Sequence, residues 1–279
     1  MIETQYIVWY LYKPPFMLCF FFTSFHLSGT MDLAHYLGEE IMSFASTYRK
    51  NYINKGEFCN MSIVVDGIIG AGKTTVAKMV SEHLDIPMFE ELKNDDLENT
   101  LEHRMLNKFY DNQSRWSAII QVMFLNERFR DLKSIEKDNQ FAIMDRSIYG
   151  DEIFAKTINK RGNMTDDELT IYQELLHNML EHINPPKLLI YLDVSIDTAM
   201  ERIKQRSRGS EADTIPEDYM IDLRDTYEEW YDKFNLCPKI RIDLNESAVD
   251  EDGEIIPRVQ EKILKAVCQA YEQCNQMVS

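Results

Sequence analysis

Basic residues are scarce in this chain: 30 lysines and arginines stand against 47 aspartates and glutamates, a formal net charge of −17. No Lys/Arg-rich run concentrates what basic charge there is. A nucleic-acid polymer needs a basic surface to neutralise its backbone phosphates, so that partner is excluded, whereas a small substrate in an inner pocket is not. Cysteine is sparse too, with Cys19, Cys59, Cys237, Cys268 and Cys274 scattered and no C-x-x-C pair. This excludes a disulfide framework and a zinc ribbon, and ordinary thiols fit a reducing, cytoplasmic setting. The histidines form no H-E-x-x-H. Long apolar runs are missing as well. Phe16–Leu27 is apolar, but Lys13-Pro14-Pro15 cuts it off from the preceding run, and neither piece reaches the roughly 20 residues that span a bilayer. The start lacks a basic n-region, and no arginine precedes Arg49, so neither a secretory nor a mitochondrial leader is expected.

From Met61 onward, short apolar runs alternate with longer helical patterns. The runs are Ser62–Val65, Pro87–Phe89, Phe141–Met144, Lys187–Leu192 and Lys239–Ile242. The i, i+3, i+4 spacing predicts helices over Thr74–Leu84, Ser114–Ile135, Asp166–His182, Ile196–Gln205, Pro216–Phe234 and Pro257–Cys274. This alternation predicts an α/β fold of the P-loop NTPase type, a five-stranded parallel sheet with helices on both faces. The 279 residues allow one large domain, over 61–279, plus an N-terminal extension of unknown role over 1–60. Ligands in such sheets bind beyond the carboxyl ends of the strands, so the residues just after each run carry the function.

After the first run comes GIIGAGKTT: Gly67, Ile68, Ile69, Gly70, Ala71, Gly72, Lys73, Thr74 and Thr75. Gly-x-x-x-x-Gly-Lys-Thr between a strand and a helix is a complete phosphate-binding loop. Its backbone N–H groups and the helix dipole face the anion. Lys73 reaches the β- and γ-phosphates, and the Thr74 hydroxyl holds Mg²⁺. The second run ends in Glu90-Glu91, where a carboxylate can take the proton of an alcohol acceptor, although such a pair also suits a solvated loop. A nucleoside monophosphate acceptor would want arginine there, and none occurs between Pro87 and Leu101. The third run ends in Asp145-Arg146, a metal ligand and a charge-stabilising guanidinium, or else a helix cap and a solvated arginine. Arg202, Arg206 and Arg208 follow the fourth run; they read either as a lid closing on a triphosphate or as a complement to the helix dipole. Aromatics such as Tyr110 and Phe124, with Gln121, read by spacing alone as helix packing.

Together GIIGAGKTT, FEEL, FY…RWSAIIQVMFLNERF, DRSIYGDEIF, LLHNML and ERIKQRSR resemble the deoxyribonucleoside kinases, particularly the bacterial deoxyadenosine/deoxyguanosine kinase branch. The match runs from Met61 to about Tyr231. The resemblance implies ATP as donor, Mg²⁺, a deoxynucleoside acceptor and a homodimer. It assigns Glu90 to activation of the 5′-hydroxyl, with Glu91 one residue away as the alternative because FEEL lacks the family's proline. Asp145 becomes base or metal ligand, and Arg146 contacts the 5′ end. Tyr110 and Glu211 hold the sugar 3′-hydroxyl. Gln121 reads the base beside Phe124, and Arg128 with Asp151 matches a charged pair of relatives acting on purines and deoxycytidine. Deoxyadenosine is the first expectation, deoxyguanosine or deoxycytidine next. The rivals are a monophosphate kinase such as thymidylate kinase, or a P-loop switch protein. A switch would need N-K-x-D and a D-x-x-G after the third strand, and both are absent.

Overall fold

A computed structural model of the chain describes residues 62–91, 100–138, 141–206, 215–245, 248 and 255–278. The 1–60 extension, Arg208 and Glu211 lie outside the described residues, as does the side chain of Arg206. Five strands form one parallel sheet: β1 (Ser62–Asp66), β2 (Met88–Phe89), β3 (Ala142–Asp145), β4 (Leu188–Asp193) and β5 (Lys239–Asp243). The spatial order is β2-β3-β1-β4-β5, with Val65 in register with Asp145 and Asp66 with Tyr191. The order therefore reverses beside β1, and the crevice opens where β1 and β3 end.

The helices are α1 (Lys73–Leu84), α2 (Leu101–Asp111), α3 (Gln113–Asp138), α4 (Asp151–Lys160), α5 (Asp166–Leu180), α6 (Ile196–Arg206), α7 (Glu217–Lys233) and α8 (Pro257–Val278). Strand side chains alternate between two cores. Ile63, Val65, Ile143 and Ile190 pack with α1, α6, α7 and α8, while Val64, Met144 and Leu189 pack with α3, α4 and α5. Each such fully buried aliphatic side chain contributes about 1.5–3 kcal/mol.

The predicted strands match within a residue at either end, and two helices are additions. Along α2 only Met105 is buried, so the apolar stripe is thin, and a Thr100 cap, accepting from the His103 N–H at 3.3 Å, starts it. Helix α4 is short and begins after Gly150 with no side-chain cap. Helix α5 starts on a capping box between Thr165 and Glu168 and ends at Leu180, two residues before its predicted end.

Candidate active site

The phosphate loop leaves β1 through glycines in conformations that suit few other residues. Gly70 has φ 79°, and a Cβ there would meet the Ala199 carbonyl oxygen at 2.5 Å. This close approach seats the loop against α6. Lys73 is buried and donates to the carbonyls of Ile68 at 2.8 Å and Gly67 at 3.2 Å. Burial, then the neighbouring Arg146 charge, lowers its ammonium to about 8. Thr74 Oγ1 donates to Asp145 Oδ2 at 2.6 Å, joining the start of α1 to the end of β3. The other oxygen of Asp145 is buried and has no hydrogen-bond partner among the described residues. Burial raises this carboxyl.

Arg202 is placed differently from a free lid residue. Its Nη2 donates to the Leu244 carbonyl at 2.8 Å and Nη1 to that of Ala71 at 3.5 Å, tying α6 to the loop and to the end of β5. Ala71 is buried, Ile69 half-buried, and Thr74 and Thr75 exposed.

Next to the loop, the ends of β1, β2 and β3 gather a charge cluster. Asp66 is buried, and its Oδ1 accepts from the Gly67 N–H at 2.8 Å, the Tyr227 hydroxyl at 2.8 Å and Arg146 Nη1 at 3.3 Å. Arg146 occupies the left-handed region with φ 68°, a conformation that costs a non-glycine residue about 1–2 kcal/mol. Its Nε lies 2.7 Å from Glu91, and its guanidinium stacks 4.5 Å from the Phe154 ring centre. Arg128, on α3, pairs with Glu91 and with Asp151, each at 3.0 Å, and lies 5.1 Å over the Phe124 ring. Burial would raise Glu91, but Arg146 and then Arg128 hold it down to about 2. Asp151 behaves oppositely: burial lifts it to about 7 in spite of Arg128.

A cleft opens here, with Glu90, Glu91, Phe124, Arg128, Asp145 and Arg146 in its wall. Both glutamates therefore reach it, in different settings. Glu90 is exposed at the rim, while Glu91 turns in between two arginines. The half-turn between neighbours at a strand end accounts for the difference. Gln121 is buried on α3, and Tyr110 packs edge-on to Phe109 at 5.4 Å; neither belongs to this wall. Sequence reading passed over Asp66 and Tyr227. Asp66 had a signal, as the last strand residue before the first loop glycine; Tyr227 had none beyond helical spacing.

The unpartnered Asp145 oxygen and the adjacent Thr74 hydroxyl form an oxygen set that suits a hard cation. No larger group of His, Cys, Asp and Glu able to hold a metal occurs among the described residues. The geometry thus joins a phosphate loop to an ionised carboxylate and an arginine that share one edge of the sheet.

The deoxynucleoside kinase family model matches residues 63–269, which include every site residue just described. The chain belongs to the deoxynucleoside kinase family. Members of this family are phosphotransferases acting on a nucleoside hydroxyl. The kinase is 36% identical over 213 residues to a deoxyguanosine kinase of Lactobacillus johnsonii, covering 72% of this chain and 92% of that protein. It is 31% identical to a deoxyadenosine/deoxycytidine kinase of Bacillus subtilis, covering 75% and 94%. Among solved structures, a deoxyadenosine kinase from M. mycoides with bound dATP aligns with a TM-score of 0.58 at 26% identity, covering 76% of this kinase and all of that chain.

Proposed function

We propose that this kinase transfers the γ-phosphoryl group of ATP to the 5′-hydroxyl of a deoxynucleoside, deoxyadenosine foremost and deoxyguanosine or deoxycytidine next. The observation that carries this reading is the ion pair of Glu91 with Arg146, 2.7 Å apart at the edge of the phosphate loop. An ionised carboxylate there can accept the hydroxyl proton as the oxygen attacks the γ-phosphorus. The bond from that phosphorus to the β–γ bridging oxygen breaks, and ADP departs with its electron pair. Arg146 and Lys73 carry cationic charge to the transferring group. Glu91 is favoured over Glu90 for the proton on position alone: its two arginines aim it into the cleft, whereas Glu90 is exposed at the rim. Thr74 and Asp145 would hold Mg²⁺, which neutralises phosphate charge when bound; two protein oxygens suffice where phosphates and waters complete the shell.

Arg128 and Asp151 support the base preference, since a fixed charged pair beside Phe124 suits the polar edge of a purine or cytosine better than a thymine methyl group. Gln121, Tyr110, Arg202, Arg206, Arg208 and Glu211 are proposed to complete base, sugar and phosphate contacts. A homodimer is proposed with them, on the family resemblance alone. Among the described residues no helix is long and apolar enough to cross a membrane, and scattered cysteines favour the cytoplasm. A monophosphate kinase is the weaker reading, because no arginine follows the second strand between Pro87 and Leu101 to meet an acceptor phosphate. Initial rates on a panel of deoxynucleosides and deoxynucleoside monophosphates test this directly. Turnover is expected on deoxyadenosine; turnover on monophosphates alone would overturn the proposal.

A further inference from the structure

Tyr227 lies on α7, the helix reached after residues 207–214, and its side chain is fully buried. Its hydroxyl donates to Asp66 Oδ1 at 2.8 Å and accepts from Arg146 Nη1, which donates to the same Asp66 oxygen at 3.3 Å. The three groups close a ring of hydrogen bonds around a single carboxylate oxygen. That oxygen also accepts the N–H of Gly67, the first glycine of the phosphate loop. One buried atom therefore ties loop, arginine and helix together.

The surrounding packing leaves Arg146 few alternatives. Its guanidinium lies on Phe154, and the Tyr227 ring meets Phe154 edge-on at 6.1 Å. Trp230, nearly one turn further along α7, donates from Nε1 to the Tyr149 carbonyl at 2.9 Å, a second tie to the segment after β3. On the opposite side, a Cβ at Gly150 would lie 2.2 Å from Asp66 Oδ2, so the chain presses directly on the carboxylate. A buried hydroxyl costs free energy unless it is hydrogen-bonded, and phenylalanine would fill the same volume without that cost. The position of the hydroxyl, between an aspartate and an arginine, gives it work that packing alone does not require.

We infer that Tyr227 is a positioning residue for phosphoryl transfer: through Asp66 it fixes the Arg146 guanidinium relative to the phosphate loop and couples α7 to the transfer site. This rests on the reading of Arg146 as the arginine that meets the transferring phosphoryl group. A residue that only aims such a group affects the transition state more than ground-state binding, so its loss shows in kcat and not in KM.

The test compares Tyr227→Phe, Asp66→Asn, their double variant, Tyr231→Phe and Arg146→Lys in the full chain, with ATP and deoxyadenosine. Tyr231 is on the same helix, stacked on Tyr191 at 4.8 Å with Arg241 and Lys239 over its ring, so Tyr231→Phe makes the same chemical change beside different cations and should keep kcat. Tyr227→Phe is expected to lower kcat about tenfold, with both KM values within about twofold. Asp66→Asn should fall at least as far, and the double variant no further than the worse single one, because both act through one ring. Arg146→Lys should fall further than Tyr227→Phe. A wild-type kcat in Tyr227→Phe, an equal loss in Tyr231→Phe, or losses that multiply in the double variant would each overturn the inference. If Arg146→Lys turns over normally, the reading of Arg146 fails with it; if only Tyr227→Phe is normal, that reading stands and the positioning role falls alone.

Discussion

The phosphate loop is a run of neighbours, Gly67 to Thr75, whereas the charge cluster beside it draws Asp66, Glu91, Arg128, Arg146 and Asp151 from separate elements. In the loop, shape comes from backbone conformation, and each group acts largely through its own contact. In the cluster, every charge is held by another, so position comes from mutual pairing. Damage should therefore spread differently. A change in the loop removes one function cleanly; a change in the cluster leaves a partner buried without its counter-charge.

The largest break is expected in the loop. Lys73→Met should lower kcat/KM by about 10²–10³, the usual cost of losing one preorganised electrostatic contact, with the fold retained; steady-state kinetics beside a thermal melt check both. The same lysine gives a pH test. Its lowered value of about 8 means that the empty enzyme loses this charge as pH rises through that region. With the protonated form proposed to bind phosphate, KM for ATP should be flat below pH 8 and rise by about tenfold per unit well above it. A flat profile to pH 10 would show that the ammonium stays charged.

In the cluster, the expected break depends on whether the pair is removed whole. Arg128→Met with Asp151→Ala removes both charges and should shift the kcat/KM ratio from deoxyadenosine toward thymidine by at least about tenfold, roughly 1.4 kcal/mol. Arg128→Met alone should be worse than the double for every substrate, because it leaves Asp151 buried without its counter-charge, whereas Asp151→Ala alone should be milder because Arg128 keeps Glu91 as a partner. An unchanged preference in the double variant would reduce the pair to a structural ion pair. The smallest effect is expected outside both regions. A chain beginning at Met61 should keep kcat within about a few-fold of the full chain, since binding and transfer are assigned to residues after it. Loss of activity would make residues 1–60 part of the working enzyme.

The same contrast governs what could be read from sequence. The loop was legible because its chemistry is local: glycine spacing, a lysine and a threonine between a strand and a helix specify the geometry. The strands were legible as short apolar runs, each filling two cores by alternation. Helix α2 was not, because Met105 alone is buried along it; α4 was not, because it is short and lacks a side-chain cap. Arg128 and Asp151, 23 positions apart in the numbering, were paired by resemblance and not by any pattern, and they meet at 3.0 Å. The inward glutamate was ambiguous because a one-residue shift at a strand end reverses the side chain. Tyr227 was invisible: a tyrosine at helical spacing reads as packing until its hydroxyl is seen against Asp66.

The central claim is that the carboxylate held between two arginines takes the proton of the nucleoside hydroxyl. The direct measurement is kcat for deoxyadenosine in Glu91→Gln and Glu90→Gln, beside nucleoside affinity in each. Glu91→Gln should lose about 10²–10⁴ in kcat with binding roughly intact, the range for removing a general base, while Glu90→Gln stays within about a few-fold. The reverse pattern, a collapse in Glu90→Gln with Glu91→Gln active, would contradict it.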